Sequence, residues 1–104
     1  MVSAVLNAVG KRYLVEHEED DNGSWSFDRF SDGFIRLTIK QQLLGQNVTV
    51  TFPIEFTKQP VVVGIPEVNS DQYIMFSHLP RNVTTTGFTI NGASAMYNFI
   101  VEGY

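Results

Sequence analysis

The sequence predicts an all-β domain, an antiparallel β-sandwich of about seven or eight strands. Apolar and polar residues alternate in short runs, which is the pattern of strands with one buried face. The runs recur about every 8–12 residues, with turn-forming residues between them, as in sandwiches and barrels. No segment shows helical periodicity over more than a possible turn near the N-terminus. Together these observations favour two stacked antiparallel sheets.

The predicted strands can be justified in order from this alternation. They are expected at residues 11–17, 25–30, 34–40, 48–54, 59–68, 73–79, 84–90 and 95–101. The second and third are joined by Ser31-Asp32-Gly33, a tight-turn sequence, so we predict a hairpin with Trp25 and Phe27 facing inward. Pro53 lacks an N–H group and is expected at a strand end or an edge.

A second hairpin is predicted near the C-terminus. The dipeptide Asn91-Gly92 separates residues 84–90 from residues 95–101, and Asn-Gly is a strong two-residue hairpin signal. In the closing strand, Tyr97, Phe99 and Val101 fall on one face. Because Asn91-Gly92 connects them, these last two strands are expected to pair with each other.

Three predicted strands are apolar on both faces, at residues 61–65, 73–76 and 96–100. A strand of a two-sheet sandwich normally has one face in water. Charged residues make up 17% of the chain, below the ~25% that is typical of soluble domains. Both observations predict a second buried surface, most simply an interface between subunits.

Length and charge limit the function classes. The 104 residues correspond to one domain, which we place at residues 13–104, with residues 1–12 as a linker or N-terminal extension. The net charge is −4, without a basic face, so nucleic acid is not expected as a partner. No apolar run approaches the ~20 residues that a membrane-spanning helix needs, so membrane insertion is not expected.

No residue pattern predicts catalysis, a metal or a cofactor. The chain contains no Cys, which removes thiolate ligands and nucleophiles. The acidic residues 18–21 are neighbours on one turn, whereas glycosidases place two carboxylates facing each other across the sugar. The same stretch begins like a calcium-binding loop but has Arg29 where the bidentate Glu belongs. We therefore expect a protein that is not an enzyme.

Binding is expected at loops that combine aromatic, amide and charged side chains, the mixture that recognises sugars. Three loops carry it. The candidate residues are Asp71, Gln72, Tyr73, Arg81, Asn82, Asn91 and Ser94. An equally weighted alternative is that Tyr73 belongs to the core and the others only make turns.

Five segments in order resemble the C-terminal receptor-binding (tip) domains of bacteriophage tail fibres, over roughly residues 13–104. They are residues 25–34 (WSFDRFSDGF), 48–56 (VTVTFPIEF), 59–63 (QPVVV), 86–90 (TGFTI) and 101–104 (VEGY). The family often continues its Ser-Asp-Gly turn with an acidic residue or Gln and a Gly pair. Here Phe34-Ile35-Arg36 follows instead, so the start of this strand is expected to differ.

The resemblance implies a homotrimeric β-sandwich at the distal end of a virion tail fibre, joined to an upstream shaft. It implies non-enzymatic binding of a bacterial surface polysaccharide or outer-surface protein. Two alternatives remain open at this point: a structural knob that trimerises the fibre, and a tail-associated enzyme that degrades polysaccharide. The packed end expected for Tyr104, which follows an apolar strand, is consistent with the resemblance.

Overall fold

The computed structural model describes residues 12–43, 47–67, 79–91 and 95–104. Within these ranges the chain is all-β, in two antiparallel sheets. The strands are β1 (Leu14–Glu19), β2 (Trp25–Phe30), β3 (Ile35–Leu43), β4 (Asn47–Thr51), β5 (Val61–Glu67), β6 (Gly87–Asn91) and β7 (Ala95–Gly103). The strand predicted at 73–79 lies almost wholly outside the described residues, as do residues 1–11. The described residues include no helix that is long and apolar enough to cross a membrane.

Five strands form one sheet in the order β1-β2-β3-β7-β5, and β4 pairs with β6 in a second, two-stranded sheet. The β2–β3 hairpin is confirmed: Trp25 pairs with Ile39, and Gly33 in the turn has a φ of +91°. A positive φ is a conformation that glycine adopts without strain, which explains this residue in the turn.

The predicted pairing of the last two strands is wrong. Strand β6 pairs with β4, whereas β7 lies between β3 and β5 in the other sheet. The turn signal at Asn91-Gly92 is local, but pairing is decided by which apolar faces can be buried together. Phe88 and Ile90 of β6 reach the core beside Val50 of β4.

The core lies between the two sheets and is rich in aromatic residues. Phe88 of β6 meets Phe99 of β7 edge to face, with ring centroids 4.9 Å apart. Trp25 is half-buried and packs on this core, stacked on Phe27, so its predicted inward orientation is confirmed. Strand β4 ends at Thr51, before Pro53, as the missing N–H predicts.

The outer face of the five-stranded sheet divides into a charged and an apolar part. On the charged side, His17 Nδ1 lies 2.6 Å from Asp28 Oδ1, and this hydrogen bond raises the pKa of His17. Arg36 Nε lies 2.7 Å from Glu102 Oε2. On the apolar side, exposed residues of β5 and β7 form one patch, called here the apolar strip. It consists of Val61, Val63, Ile65 and Ile100.

The buried hydroxyl of Tyr97 gives a stability prediction. Tyr97 is 1% exposed, and its Oη has no hydrogen-bond partner in the part of the chain that the structure describes. Burying an unsatisfied hydroxyl costs about 1–3 kcal/mol. Tyr97→Phe keeps the ring stacked on Phe99 and is expected to leave the free energy of unfolding unchanged or raise it by about 1 kcal/mol. Urea denaturation measures this, and a clear loss of stability would contradict it.

Candidate functional site

The candidate site is a pocket of about 300 Å³ beside the two-stranded sheet. It is called here the amide pocket. Its lining residues come from β4, β6 and the loop before β6, and they are Asn47, Arg81, Asn82, Thr89, Ile90 and Asn91. A pocket of this size falls at the lower end of the range for small-molecule sites.

Strand pairing positions the floor of the amide pocket. Asn47 and Asn91 are direct partners in the β4–β6 ladder, so their side chains project from neighbouring points on the sheet. Directly opposed residues in an antiparallel pair have Cβ atoms about 5 Å apart. Two amide groups are therefore held next to each other by the backbone, without relying on a flexible loop.

The wall of the pocket is the loop at Arg81 and Asn82, which is fastened to β6. The main-chain N–H of Arg81 donates to the Thr89 carbonyl at 2.7 Å, and the N–H of Thr89 donates to the Arg81 carbonyl at 2.8 Å. Asn82 Nδ2 donates to Thr89 Oγ1 at 3.2 Å, and that hydroxyl donates to the Arg81 carbonyl at 3.2 Å. Four contacts thus set the loop against the strand.

Asn82 has a left-handed backbone, with a φ of +53°. Among residues other than glycine, Asn tolerates this region best because its short polar side chain can make local hydrogen bonds. The bond to Thr89 Oγ1 is one such contact. The positive φ sets the direction of the backbone at Asn82. The tolerance of Asn for this conformation explains why Asn occupies the position.

This conformation gives a second prediction. Asn82→Ala is expected to lose more stability than Asn82→Gly, because alanine has no side-chain hydrogen bond and pays about 1–2 kcal/mol for a positive φ. Glycine loses the same hydrogen bond but adopts the backbone without that cost. Urea denaturation of both variants checks the order. Equal or greater stability of the alanine variant would count against a strained backbone at Asn82.

The chemistry of the amide pocket is that of polar recognition. Three amides each offer donors and acceptors, and Thr89 adds a hydroxyl. Among its described lining residues only Arg81 carries a formal charge. This arrangement can pair with several hydroxyl groups of one ligand. Within the described ranges no three His or carboxylate side chains are grouped so that they could hold a metal ion.

The structure brings together residues that the sequence assigned to separate loops. Arg81 and Asn82 from one predicted loop share the pocket with Asn91 from another. Ser94 lies outside the described residues, and so does the third loop, Asp71, Gln72 and Tyr73. Sequence reasoning missed Asn47, because only the β4–β6 register places it opposite Asn91. It also missed Thr89, which reads as an ordinary outward strand residue.

The C-terminal residue closes a second polar cluster, on the β2–β3 turn. Tyr104 Oη lies 3.1 Å from Arg12 Nη2, and Arg12 is paired with Asp32 at 2.9 Å. The main-chain oxygen of Tyr104 accepts hydrogen bonds from Thr57 and Lys58. Although its side chain is 42% exposed, Tyr104 is therefore fixed at both ends. This cluster has a structural role and lines neither described pocket.

Comparison with known proteins gives fold relatives only. No family model and no curated protein sequence matches the chain. Its fold is similar to that of a C-terminal fragment of the R2 pyocin fibre of P. aeruginosa, with a TM-score of 0.64 and 18% identity. It is similar also to an N-truncated R2-type pyocin tail fibre, with a TM-score of 0.62 and 18% identity. The whole chain is covered in each comparison, but it spans only 29% and 43% of those chains. The chain thus shares its fold with part of a pyocin tail fibre.

Proposed function

We propose that this chain is the non-enzymatic receptor-binding domain of a phage or phage-like tail fibre and that it binds a bacterial surface glycan in the amide pocket. The observation that carries the proposal is the fold shared with R2 pyocin tail fibre fragments over the whole chain. The five segments that resemble tail fibre tip domains support it independently. In this proposal the domain lies at the distal end of a virion tail fibre, and residues 1–12 connect it to the shaft.

The amide pocket supports a glycan as the receptor. Sugar hydroxyls both donate and accept hydrogen bonds, and primary amides do the same. The strand ladder fixes the backbones of Asn47 and Asn91, and Asn82 is bonded to Thr89, so binding requires little ordering of the backbone around the pocket. An outer-surface protein is the alternative receptor, and its binding would bury a larger area than this pocket offers.

The proposal includes assembly of three copies through the apolar strip. Val61 is 68% exposed, Val63 48%, Ile65 49% and Ile100 36%. In the described sheet β5 is an edge strand, and its exposed apolar side chains favour contact with another chain. Three linked copies would present three amide pockets, and avidity would then raise the overall affinity without new contacts.

Binding of the purified protein to immobilised surface polysaccharide, or to whole bacteria, tests the receptor role. Asn91→Ala is expected to weaken binding about tenfold, a loss of about 1.4 kcal/mol. Gln59→Ala, an exposed amide outside the amide pocket, is the matched control and should bind like wild type. Equal binding by wild type and Asn91→Ala, both correctly folded, would refute the role of the amide pocket.

Two further outcomes separate the alternatives. If the protein releases new reducing ends from the polysaccharide, it is a tail-associated degrading enzyme. If a fibre without residues 13–104 adsorbs normally to its host but has a misfolded shaft, the domain is a structural trimerisation knob. The proposed function predicts neither result: the glycan stays intact, and adsorption is lost together with the domain.

A further inference from the structure

The outer face of the five-stranded sheet contains a second hollow, distinct from the amide pocket. It has a volume of about 340 Å³ and lies over β2, β3 and β7. We call it the sheet depression. The outward-facing residues that line it are Ser24, Ser26, Thr38, Lys40, Asn98 and Ile100. The amide pocket belongs to β4, β6 and the loop before β6, so the two sites share no residue.

Strand register makes the sheet depression a rigid surface. Ser26 pairs with Thr38, and Thr38 pairs in turn with Ile100 on the far side. Two residues further along the strands, Lys40 pairs with Asn98, and the N–H of Lys40 donates to the Ser24 carbonyl at 2.7 Å. The serines and Thr38 are small, while Lys40 beside them is long. This difference in side-chain length produces the hollow, and the sheet itself need not be deformed.

The polar atoms of the sheet depression are organised before any ligand arrives. Ser26 Oγ and Thr38 Oγ1 are 3.0 Å apart and share one hydrogen bond, which leaves acceptor lone pairs on both oxygens. Asn98 Nδ2 donates to Glu67 Oε1 at 3.2 Å, so the side-chain carbonyl oxygen of Asn98 points away from that carboxylate. Lys40 Nζ is 3.5 Å from the same carboxylate and retains further N–H donors.

Charge and surface chemistry narrow the class of ligand. Lys40 is the one charged side chain in the described lining, and Glu67 lies beside its ammonium group, so this lining carries no unbalanced positive charge to attract a strongly anionic ligand. Most of the surface that faces the hollow is carbon, with hydroxyl, amide and ammonium groups at separate points. A ligand that fits must combine C–H surface with several hydroxyl groups, and a pyranose ring does so.

We propose that the sheet depression is a second carbohydrate site, which binds a neutral sugar residue. It goes beyond the proposed function, which places the receptor in the amide pocket. Because the two sites lie on different sheets, one domain can hold two separate sugar residues. Ile100 belongs to the sheet depression and to the apolar strip, so association through that strip places this site at the rim of the interface.

Nuclear magnetic resonance titration of the full, ¹⁵N-labelled chain tests the inference. The probes are glucose, galactose, rhamnose and N-acetylglucosamine, each at millimolar concentration. At least one is expected to cause saturable shifts of the backbone amides at residues 24–26, 38–40 and 98–100. Thr38→Val removes the hydroxyl, keeps the shape, and is expected to weaken that binding at least fivefold. Thr51→Val, an exposed position on β4, is the matched control and should bind like wild type.

The site-resolved readout separates this inference from the proposed function. Shifts confined to residues 47, 82 and 91 would support the amide pocket and overturn the sheet depression as a sugar site. Shifts confined to the sheet depression would do the reverse. Unchanged affinity in Thr38→Val, or no saturable shift near Thr38 with any of the four sugars, would also overturn the inference.

Discussion

Gly87→Ala is expected to destabilise the domain by about 3 kcal/mol, at the upper end of the range for overpacking substitutions. A Cβ atom at this position would lie 2.3 Å from the carbonyl oxygen of Val50 and 3.2 Å from Cα of Thr51. Both are main-chain atoms of β4, so no side chain can rotate away to relieve the clash. Relief requires β4 and β6 to separate.

The position of Gly87 explains why the loss should be large. Gly87 pairs with Thr51 at the end of the β4–β6 ladder, and the neighbouring N–H of Phe52 donates to the Thr86 carbonyl at 2.8 Å. Moving β6 would disturb Phe88, which meets Phe99 in the core. Because domains of this size are stable by only about 5–15 kcal/mol, the variant should unfold at clearly lower urea concentration.

Gly23→Ala is the matched control for this effect. Gly23 differs from Gly87 in having a backbone conformation that disfavours alanine, with a φ of +72°, but nothing lies within 4 Å of an added Cβ. Its cost should be the backbone term alone, about 1–2 kcal/mol. Urea denaturation of both variants compares them directly. If Gly87→Ala is no less stable than Gly23→Ala, the close approach of the two strands is not the reason for glycine at position 87.

Local features of the fold could be predicted from sequence, and long-range pairings could not. The hairpin around Ser31-Asp32-Gly33 follows from alternation and a turn with a positive φ, both of which are properties of neighbouring residues. The Asn91-Gly92 hairpin fails because β7 lies between β3 and β5. No residue near position 91 indicates that β7 pairs with β3 and β5. This pairing depends on burying Tyr97, Phe99 and Val101 of β7 against the second sheet.

The candidate site shows the same division. Arg81, Asn82 and Asn91 could be selected by composition, because amides and a guanidinium in loops are suited to polar recognition. Their convergence depends on the β4–β6 ladder and on the contacts of Thr89 with the loop, which link positions eight residues apart. Asn47 enters only through the ladder register. Sequence thus indicates which residues suit a site, while the pairing of strands determines which of them meet.

Val63→Lys is expected to convert the proposed trimer into a monomer. The single chain has a mass of 11.7 kDa, and three associated copies have three times that mass in light scattering. Val63 lies in the middle of the apolar strip, opposite Ile100, so a lysine there places a charge inside the proposed interface. Desolvating an unpaired charge is far more costly than the contact that the valine provides.

Val15→Lys is the matched control, because it makes the same change at the opposite edge of the same sheet. Val15 is 52% exposed and Val63 48%, so both monomers should tolerate the lysine equally. A wild-type mass of one chain at micromolar concentration would contradict the trimer. A trimeric Val63→Lys, or dissociation by Val15→Lys instead, would place any interface elsewhere.

The monomeric variant also separates affinity from avidity. The amide pocket shares no residue with the apolar strip, so Val63→Lys should bind a soluble oligosaccharide with wild-type affinity. Binding to a polysaccharide-coated surface should fall much further, since three linked sites gain from effective concentration and one site does not. Equal losses on the soluble and the immobilised glycan would mean that the substitution had damaged the pocket itself. A loss confined to the surface would instead show that adsorption depends on assembly through β5.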